Sequence, residues 1–216
     1  MKQSGGKYDI HIRNDSSTVY VPDALGDAAG GSKVLLFRGD GYVERLEEAM
    51  NTFTIIGIDP GNTHSGVCVI GPGNQKKPNI LSADKVANAD LMHMLRAIWV
   101  DSSEIAIEGF SCQGRPVGDS SIQTMYFIGR LLQKAEDRGI EITVYKRREY
   151  GQWITAGGKL NDATLRAGLE SIYGPSAKKT DPLYQLRGAS DKRSAFAVAK
   201  YHEFRLSKVP YEIQTA

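Results

Sequence analysis

Three acidic residues stand at places where a carboxylate can do chemistry. Asp59 closes the apolar run Phe53-Thr54-Ile55-Ile56-Gly57-Ile58 and is followed by Pro60-Gly61, after which a second apolar run begins at Gly66-Val67-Cys68-Val69-Ile70. Glu108 closes a later apolar run, Ile105-Ala106-Ile107. Asp191 opens the segment Asp191-Lys192-Arg193-Ser194-Ala195-Phe196-Ala197-Val198-Ala199. A carboxylate at the end of a buried strand is held rigidly, and burying it ionised is costly unless it is paired or bound to a metal. Three such groups gathered at one point repel unless a cation sits among them. Oxygen ligands of this kind suit Mg²⁺ or Mn²⁺ and not zinc. Two such ions about 3.5–4 Å apart activate a water and stabilise the leaving oxygen of a phosphodiester. Each acid also has a plainer reading: Asp59 in an Asp-Pro-Gly turn, Glu108 at an exposed strand end, and Asp191 as a helix N-cap. The chemistry lies in the trio.

The elements that must position these acids follow from periodicity. Strands are expected at 53–59, 66–71, 79–83, 103–108 and 140–145, from short apolar or alternating runs bounded by turn residues. Helical spacing runs from Asn88 to Val100 through Leu91, Met94, Leu95 and Ile98. A stronger helix is expected over 120–138, its apolar face made by Ile122, Met125, Tyr126, Ile128, Gly129, Leu132 and Ala135 and its end marked by Arg138-Gly139. Asn161-Asp162 caps a helix to about Tyr173, and Ser190 or Asp191 opens the last one. Strands first, then helix alternating with strand, predict an α/β fold in which a mixed sheet carries packed helices. Residues 1–49 look separate: they have short alternating stretches, a flexible Ala28-Ala29-Gly30-Gly31-Ser32 linker and too few apolar residues for a core of their own. They are expected to be an extension of unknown role, and residues 50–216 the main domain.

Composition bounds the class. The 216 residues suffice for one sizeable core with a small appendage. No apolar stretch has the length of a membrane span, and the first residues carry neither a signal core nor a transit pattern. Cys68 and Cys112 make neither a disulfide framework nor a metal-ligand spacing, and Cys68 is expected to be a buried small hydrophobe, a usage that suits a reducing cytoplasm. The net charge is +2, from 27 Lys/Arg and 25 Asp/Glu. Residues 1–49 hold six and eight of these, so the remainder holds 21 and 17. The basic surplus therefore lies with the three acids, in clusters at Lys146-Arg147-Arg148, Lys178-Lys179 and Lys192-Arg193 that can meet phosphates or simply be solvated.

With these residues in view, the segment from Phe53 onward resembles the RuvC family of Holliday junction resolvases, within the RNase H-like superfamily. Ile56-Gly57-Ile58-Asp59-Pro60-Gly61 with Gly66 is similar to that family's first motif, and Ile105-Ala106-Ile107-Glu108 to its second. Gly129-Arg130 is similar to its glycine-arginine helix, Val144-Tyr145-Lys146 to the strand that leads into its basic segment, and Ala156-Gly157-Gly158-Lys159 to a glycine-rich DNA-contacting stretch. Asp191 to Ala199 resembles the last motif, particularly of phage-like members. The resemblance implies a five-stranded RNase H-like sheet flanked by helices, a homodimer, and Mg²⁺-dependent paired nicking of four-way DNA junctions, with Mn²⁺ as a substitute ion. It implies Asp59, Glu108 and Asp191 as metal ligands. Two departures stand out. Ser194 falls where many members carry a second acid or a histidine, and Asp162 lies near where a basic residue is common.

Other residues would support such a site. Lys159, after two glycines, can hold a phosphate or be a solvated loop lysine. Lys146, Arg147, Arg148, Lys192 and Arg193 would track a phosphate backbone. Phe110 and Arg115 lie in a segment after Glu108 that is placed to cover the site, with Phe110 either wedging into a distorted junction or packing under the loop. Tyr145 and Trp153 can stack on bases or anchor the core, and His64 can touch a phosphate or sit at a strand edge. Other functions consistent with the sequence are a catalytically weak or inactive junction-binding protein, motivated by Ser194, and an RNase H-like nuclease acting on RNA or hybrid. An actin-like phosphotransferase shares the flavour of the first motif but needs two lobes and a second phosphate loop.

Overall fold

A computed structural model describes residues 53–73, 78–98, 103–111 and 116–207. Residues 1–49, Arg115 and Cys112 lie outside the described residues. Five strands, β1 (Thr54–Asp59), β2 (His64–Ile70), β3 (Ile80–Ala87), β4 (Ser103–Gly109) and β5 (Ile142–Lys146), form one sheet in the order β3-β2-β1-β4-β5. β1, β2 and β3 are joined antiparallel in a meander, while β4 lies parallel to β1 and β5 parallel to β4. Each parallel step follows a helix, as a crossover connection requires: α1 (Asn88–Ile98) leads towards β4 and α2 (Asp119–Glu136) towards β5. Three more helices follow: α3 (Arg147–Ile154), α4 (Asp162–Tyr173) and α5 (Ser190–Leu206), with a 3₁₀ turn at Tyr184–Leu186 before the last. This is the mixed five-stranded, helix-flanked sheet expected from the sequence.

The period-two alternation of the strands divides the core in two. Ile56, Ile58, Val67, Val69, Ile105 and Ile107 face Leu91 of α1 and Phe127, Ile128 and Leu131 of α2. Ile55, Cys68, Ile70, Ala106 and Tyr145 face α3, α4 and α5. α5 is the central element of that second layer. Ala195 to Ala199 are fully buried, so the middle of the helix is enclosed on every side and shows no amphipathic stripe, while polar residues take both its ends. It seats directly on backbone. A Cβ at Gly57 would lie 2.1 Å from the Ala195 carbonyl oxygen, and one at Gly66 would lie 2.2 Å from that of Asp191. No larger residue fits under α5 at either point.

Several boundaries differ from expectation. β3 runs on to Ala87 and carries an irregularity opposite Val69/Ile70. α3 was not expected at all, because Arg147, Arg148 and Glu149 look like a solvated basic run, whereas Tyr150 and Ile154, one turn apart, anchor it.

Candidate active site

Asp59 and Glu108 end neighbouring parallel strands. The register pairs Ile58 with Ile107, which sets the two acids side by side, and alternation puts both on the face of Gly57 and Ala106 that α5 covers. Their carboxyl groups meet. Burial and then the charge of Glu108 push the Asp59 carboxyl well above the usual carboxylate range; Arg147 opposes this, Asp191 adds to it, and the Ser194 hydroxyl again opposes. Burial also raises Glu108, against the Tyr150 hydroxyl, Arg147 and a hydrogen bond with Asp59. Two facing carboxyls in a partly buried site titrate as one unit, because ionising the first makes the second harder to ionise.

Two residues of α3 attend this pair. The Tyr150 hydroxyl donates to Glu108 Oε2 at 2.5 Å. Burial, followed by the adjoining Glu108 charge, pushes the phenol up, so it stays protonated and a donor. Arg147 Nη1 lies 3.6 Å from Glu108 Oε2 and its Nη2 lies 2.5 Å from Asp162 Oδ1. Arg147 Nη1 also donates to Ser194 Oγ at 3.4 Å. Ser194 is 1% exposed, so this guanidinium lies at the edge of the site and not out along the surface.

Asp191 sits in the first turn of α5, brought over the sheet by the close contact at Gly66. Its Oδ2 is 2.6 Å from Lys85 Nζ of β3, and Ser190 Oγ donates to Oδ1 at 3.2 Å. Burial alone would raise Asp191, but the Lys85 hydrogen bond and charge outweigh it and hold the carboxyl below its ordinary value. Asp191 therefore reaches Asp59 by charge and Lys85 by contact. Among the described residues, no three of His, Cys, Asp and Glu form one metal-ligating group. The trio expected from the sequence is a facing pair plus a third acid held by a lysine.

The turn carrying Asp59 is braced from α1. Asn88 Nδ2 donates to the Gly61 carbonyl at 2.9 Å, and Ser65 Oγ donates to Asn88 Oδ1 at 2.8 Å. The Asn88 backbone N–H also bonds Thr63 O at 2.9 Å.

The remaining residues singled out in the sequence are scattered more widely. Lys146 and Arg148 are exposed, as is Lys159 in the loop between α3 and α4. Lys192 Nζ donates to the Gln185 carbonyl at 2.6 Å, and Arg193 Nη1 donates to that of Leu186 at 3.4 Å, so both tie α5 to the 3₁₀ turn. Phe110 packs against the α1/α2 side of the core. Tyr145 and Trp153 are core anchors: Tyr145 meets Tyr201 edge-on, and Trp153 lies against Tyr201 and Phe204. His64 is exposed at the start of β2, bonded to Thr63. Cys68 is fully buried. Asp162 pairs with Arg147, and the α4 cap is Asn161. Sequence reasoning missed Tyr150 and Lys85. The signal for Tyr150 was its place one helical turn after Arg147, on the continuation of a strand adjoining Glu108.

A sheet of this order, with its antiparallel meander and two parallel crossovers, defines the RNase H-like fold. Two solved structures share it. Thermus thermophilus RuvC in complex with a Holliday junction substrate is 20% identical, with a TM-score of 0.54 over 71% of this chain and 94% of that one. A second Thermus thermophilus RuvC structure is 21% identical, with a TM-score of 0.53 over 72% and 96%. No protein-family model matches the sequence, and no curated protein matches it. At such identities the likeness is one of fold.

Proposed function

We propose that this chain is a divalent-metal-dependent, structure-selective DNA endonuclease that resolves four-way junctions by paired nicking. The observation that carries this reading is the facing Asp59–Glu108 pair, with Asp191 close enough to raise Asp59 further. The donor set fits a hard cation. It is all oxygen, it is partly buried, and its own repulsion needs a positive charge that Arg147 now supplies only from one side. Asp59 and Glu108 would hold the cation, and Asp191 would join after exchanging Lys85. A bound Mg²⁺ or Mn²⁺ supplies a water of lowered pKa and charge stabilisation at the leaving oxygen.

The chain's own residues then have separate tasks. Tyr150 fixes the orientation of Glu108 through its hydroxyl. The Asn88–Ser65 brace fixes the turn after Asp59. Lys85, half exposed, and Arg147 are cations at the rim, placed to meet a non-bridging phosphate oxygen as DNA enters. Lys159, Lys146 and Arg148 extend the positive surface outward, with Arg115 a further DNA contact proposed from the sequence, while Phe110 serves the core on the other face of the sheet. The product carries a 5′-phosphate. Symmetric cutting calls for a homodimer, for which Met125 and Tyr126, exposed on α2, offer apolar surface. The junction solved with the Thermus RuvC supports branched DNA as the substrate. The proposed setting is a cytoplasm, that of a host if the chain is phage-encoded; separately, no helix among the described residues is long and apolar enough to cross a membrane.

One feature favours a second reading. Ser194 is no ligand for a hard cation of the strength an acid would be, and Arg147 lies against it. A junction-binding protein with little or no cutting would look the same.

The test is a nicking assay on a synthetic four-way junction, a linear duplex and an RNA–DNA hybrid, with Mg²⁺, Mn²⁺ or EDTA. The expected result is junction cleavage in Mg²⁺ that is lost with Asp59→Asn and with Glu108→Gln. Tight junction binding without cleavage in either metal establishes the second reading. Preferential cutting of the hybrid replaces the substrate class.

A further inference from the structure

A cleft of about 340 Å³ opens on the flank formed by α4, α5 and the segment between them, lined by Arg166, Ser176, Ala177, Arg187, Gly188 and Arg193. Three guanidinium groups converge on it from three separate pieces of chain. One carboxylate, Glu170, touches the lining: it accepts from Arg166 Nε at 3.0 Å and from Ser176 Oγ at 2.5 Å. Arg187 Nη1 donates to the Ala177 carbonyl at 3.3 Å and Arg193 Nη1 to the Leu186 carbonyl at 3.4 Å. Among the described residues neither Arg187 nor Arg193 has an ion-pair partner within 4.0 Å. Each guanidinium carries five N–H donors, and one apiece is engaged by these bonds. Such a set, with positive charge in excess of the single acid, suits a group with several anionic oxygens, because arginine's planar fork matches phosphate geometry.

Two of the elements that line the cleft also carry residues of the acid site. Arg166 follows Asp162 by one turn of α4, about 6 Å along the axis, and Asp162 holds Arg147 beside Glu108. Arg193 follows Asp191 by two residues on α5. We propose that the Arg166–Arg187–Arg193 cleft binds a backbone phosphate of the same DNA whose cut phosphate lies at Asp59 and Glu108, a few nucleotides away. This rests on the reading of the chain as a DNA nuclease, and it adds a contact that grips the strand away from the reacting atoms.

The experiment measures binding of the full chain to a fluorescein-labelled four-way junction in EDTA, by anisotropy, over a series of NaCl concentrations. Variants are Arg187→Gln, Arg166→Gln and their combination, each with its denaturation midpoint checked against wild type. One lost phosphate contact lowers the slope of log Kobs against log[salt] by about 0.9. The expected result is that Arg187→Gln lowers the slope by about that amount and weakens binding about tenfold at 0.1 M salt. The double variant falls no further in slope, because one phosphate is shared. An unchanged slope in both Arg187→Gln and the double variant overturns the proposal. So does a cleft that takes inorganic phosphate, seen as shifts of the Gly188 amide, while the junction slope stays at the wild-type value. A lowered slope in a protein that fails to nick leaves this site standing and removes the nuclease reading. Nicking that depends on Asp59, with no change in slope, does the reverse.

Discussion

Arg147 is the residue whose removal is most informative. It lies 3.6 Å from Glu108, with the two side chains 23% and 15% exposed. At an effective dielectric constant near 20, that separation corresponds to about 5 kcal/mol of attraction. Part of this is offset by taking the guanidinium out of water, and breaking such a pair from one side costs about 3–5 kcal/mol when it is fully buried. The partner Asp162 is 60% exposed and adds little. For this half-open site Arg147→Gln is therefore expected to cost about 2–4 kcal/mol, but only where the acids are ionised. Asp59 and Glu108 keep their protons to higher pH in the folded chain than in the unfolded one. The folded state thus binds more protons between the ordinary carboxylate range and the raised values. Stability from this source is fully present below the ordinary range and falls as pH rises through the raised values. Without Arg147 both values climb further and the fall is steeper. Urea denaturation in EDTA should show a deficit for the variant below about 1 kcal/mol at pH 5, widening to about 2–4 kcal/mol at pH 8. Millimolar Mg²⁺ at pH 8 should narrow it again, since a cation that prefers the ionised pair replaces the missing charge. A deficit of the same size at both pH values refutes the reasoning, because it would make Arg147 a packing residue.

Tyr150→Phe removes the donor 2.5 Å from Glu108 and should cost about 1.5–3 kcal/mol, as hydrogen bonds to charged groups do, measured by denaturant midpoint at pH 8; a cost under about 0.5 kcal/mol would show that the hydroxyl does not serve Glu108. Gly57→Ala places a methyl 2.1 Å from the Ala195 carbonyl and 2.8 Å from the Ala199 Cβ, so α5 must lift; a loss of about 1–3 kcal/mol together with impaired nicking is expected, and unchanged stability would mean that α5 is not seated on the sheet. In a Cys112→Ser background, Cys68 should resist thiol reagents until the chain unfolds, because it is fully buried and burial pushes its thiol up; fast native-state labelling would contradict the core assignment.

Much of this architecture was legible because strands announce themselves where apolar runs are short and turn-bounded. β1 and β4 ended within one residue of expectation, and those two ends place Asp59 and Glu108. That these two acids end side by side depends on the parallel register of β1 and β4, which only the folded sheet supplies. What it concealed was carried by long side chains. Arg147 reads as one of three surface cations, yet β5 and α3 aim it inward. Lys85 belongs to an alternating strand, and only the meander brings it under the start of α5 to take Asp191. Lys192 and Arg193 are neighbours in sequence, yet they point differently from a simple surface cluster: Lys192 reaches the Gln185 carbonyl of the preceding 3₁₀ turn, and Arg193, bonded to that of Leu186, lines the cleft with Arg166 and Arg187. Helix α3 escaped because Gly151 and four polar residues dilute its apolar spacing. The direction of a flexible cation is not written in its spacing, and for Arg147 and Lys85 the element that carries each, α3 and the end of β3, was not expected either.

The seat of α5 on two bare glycines has a mechanical corollary. A helix cushioned by side chains can settle or rise as rotamers change, whereas one resting on main chain meets a hard stop. Its first turn is thereby kept in fixed register with the ends of β1 and β2, like a rail bolted to its bed. Under the proposed nuclease reading, any adaptation of the acid site to an incoming strand must then fall to the long, jointed arms of Lys85 and Arg147, which can swing while the frame beneath stays still.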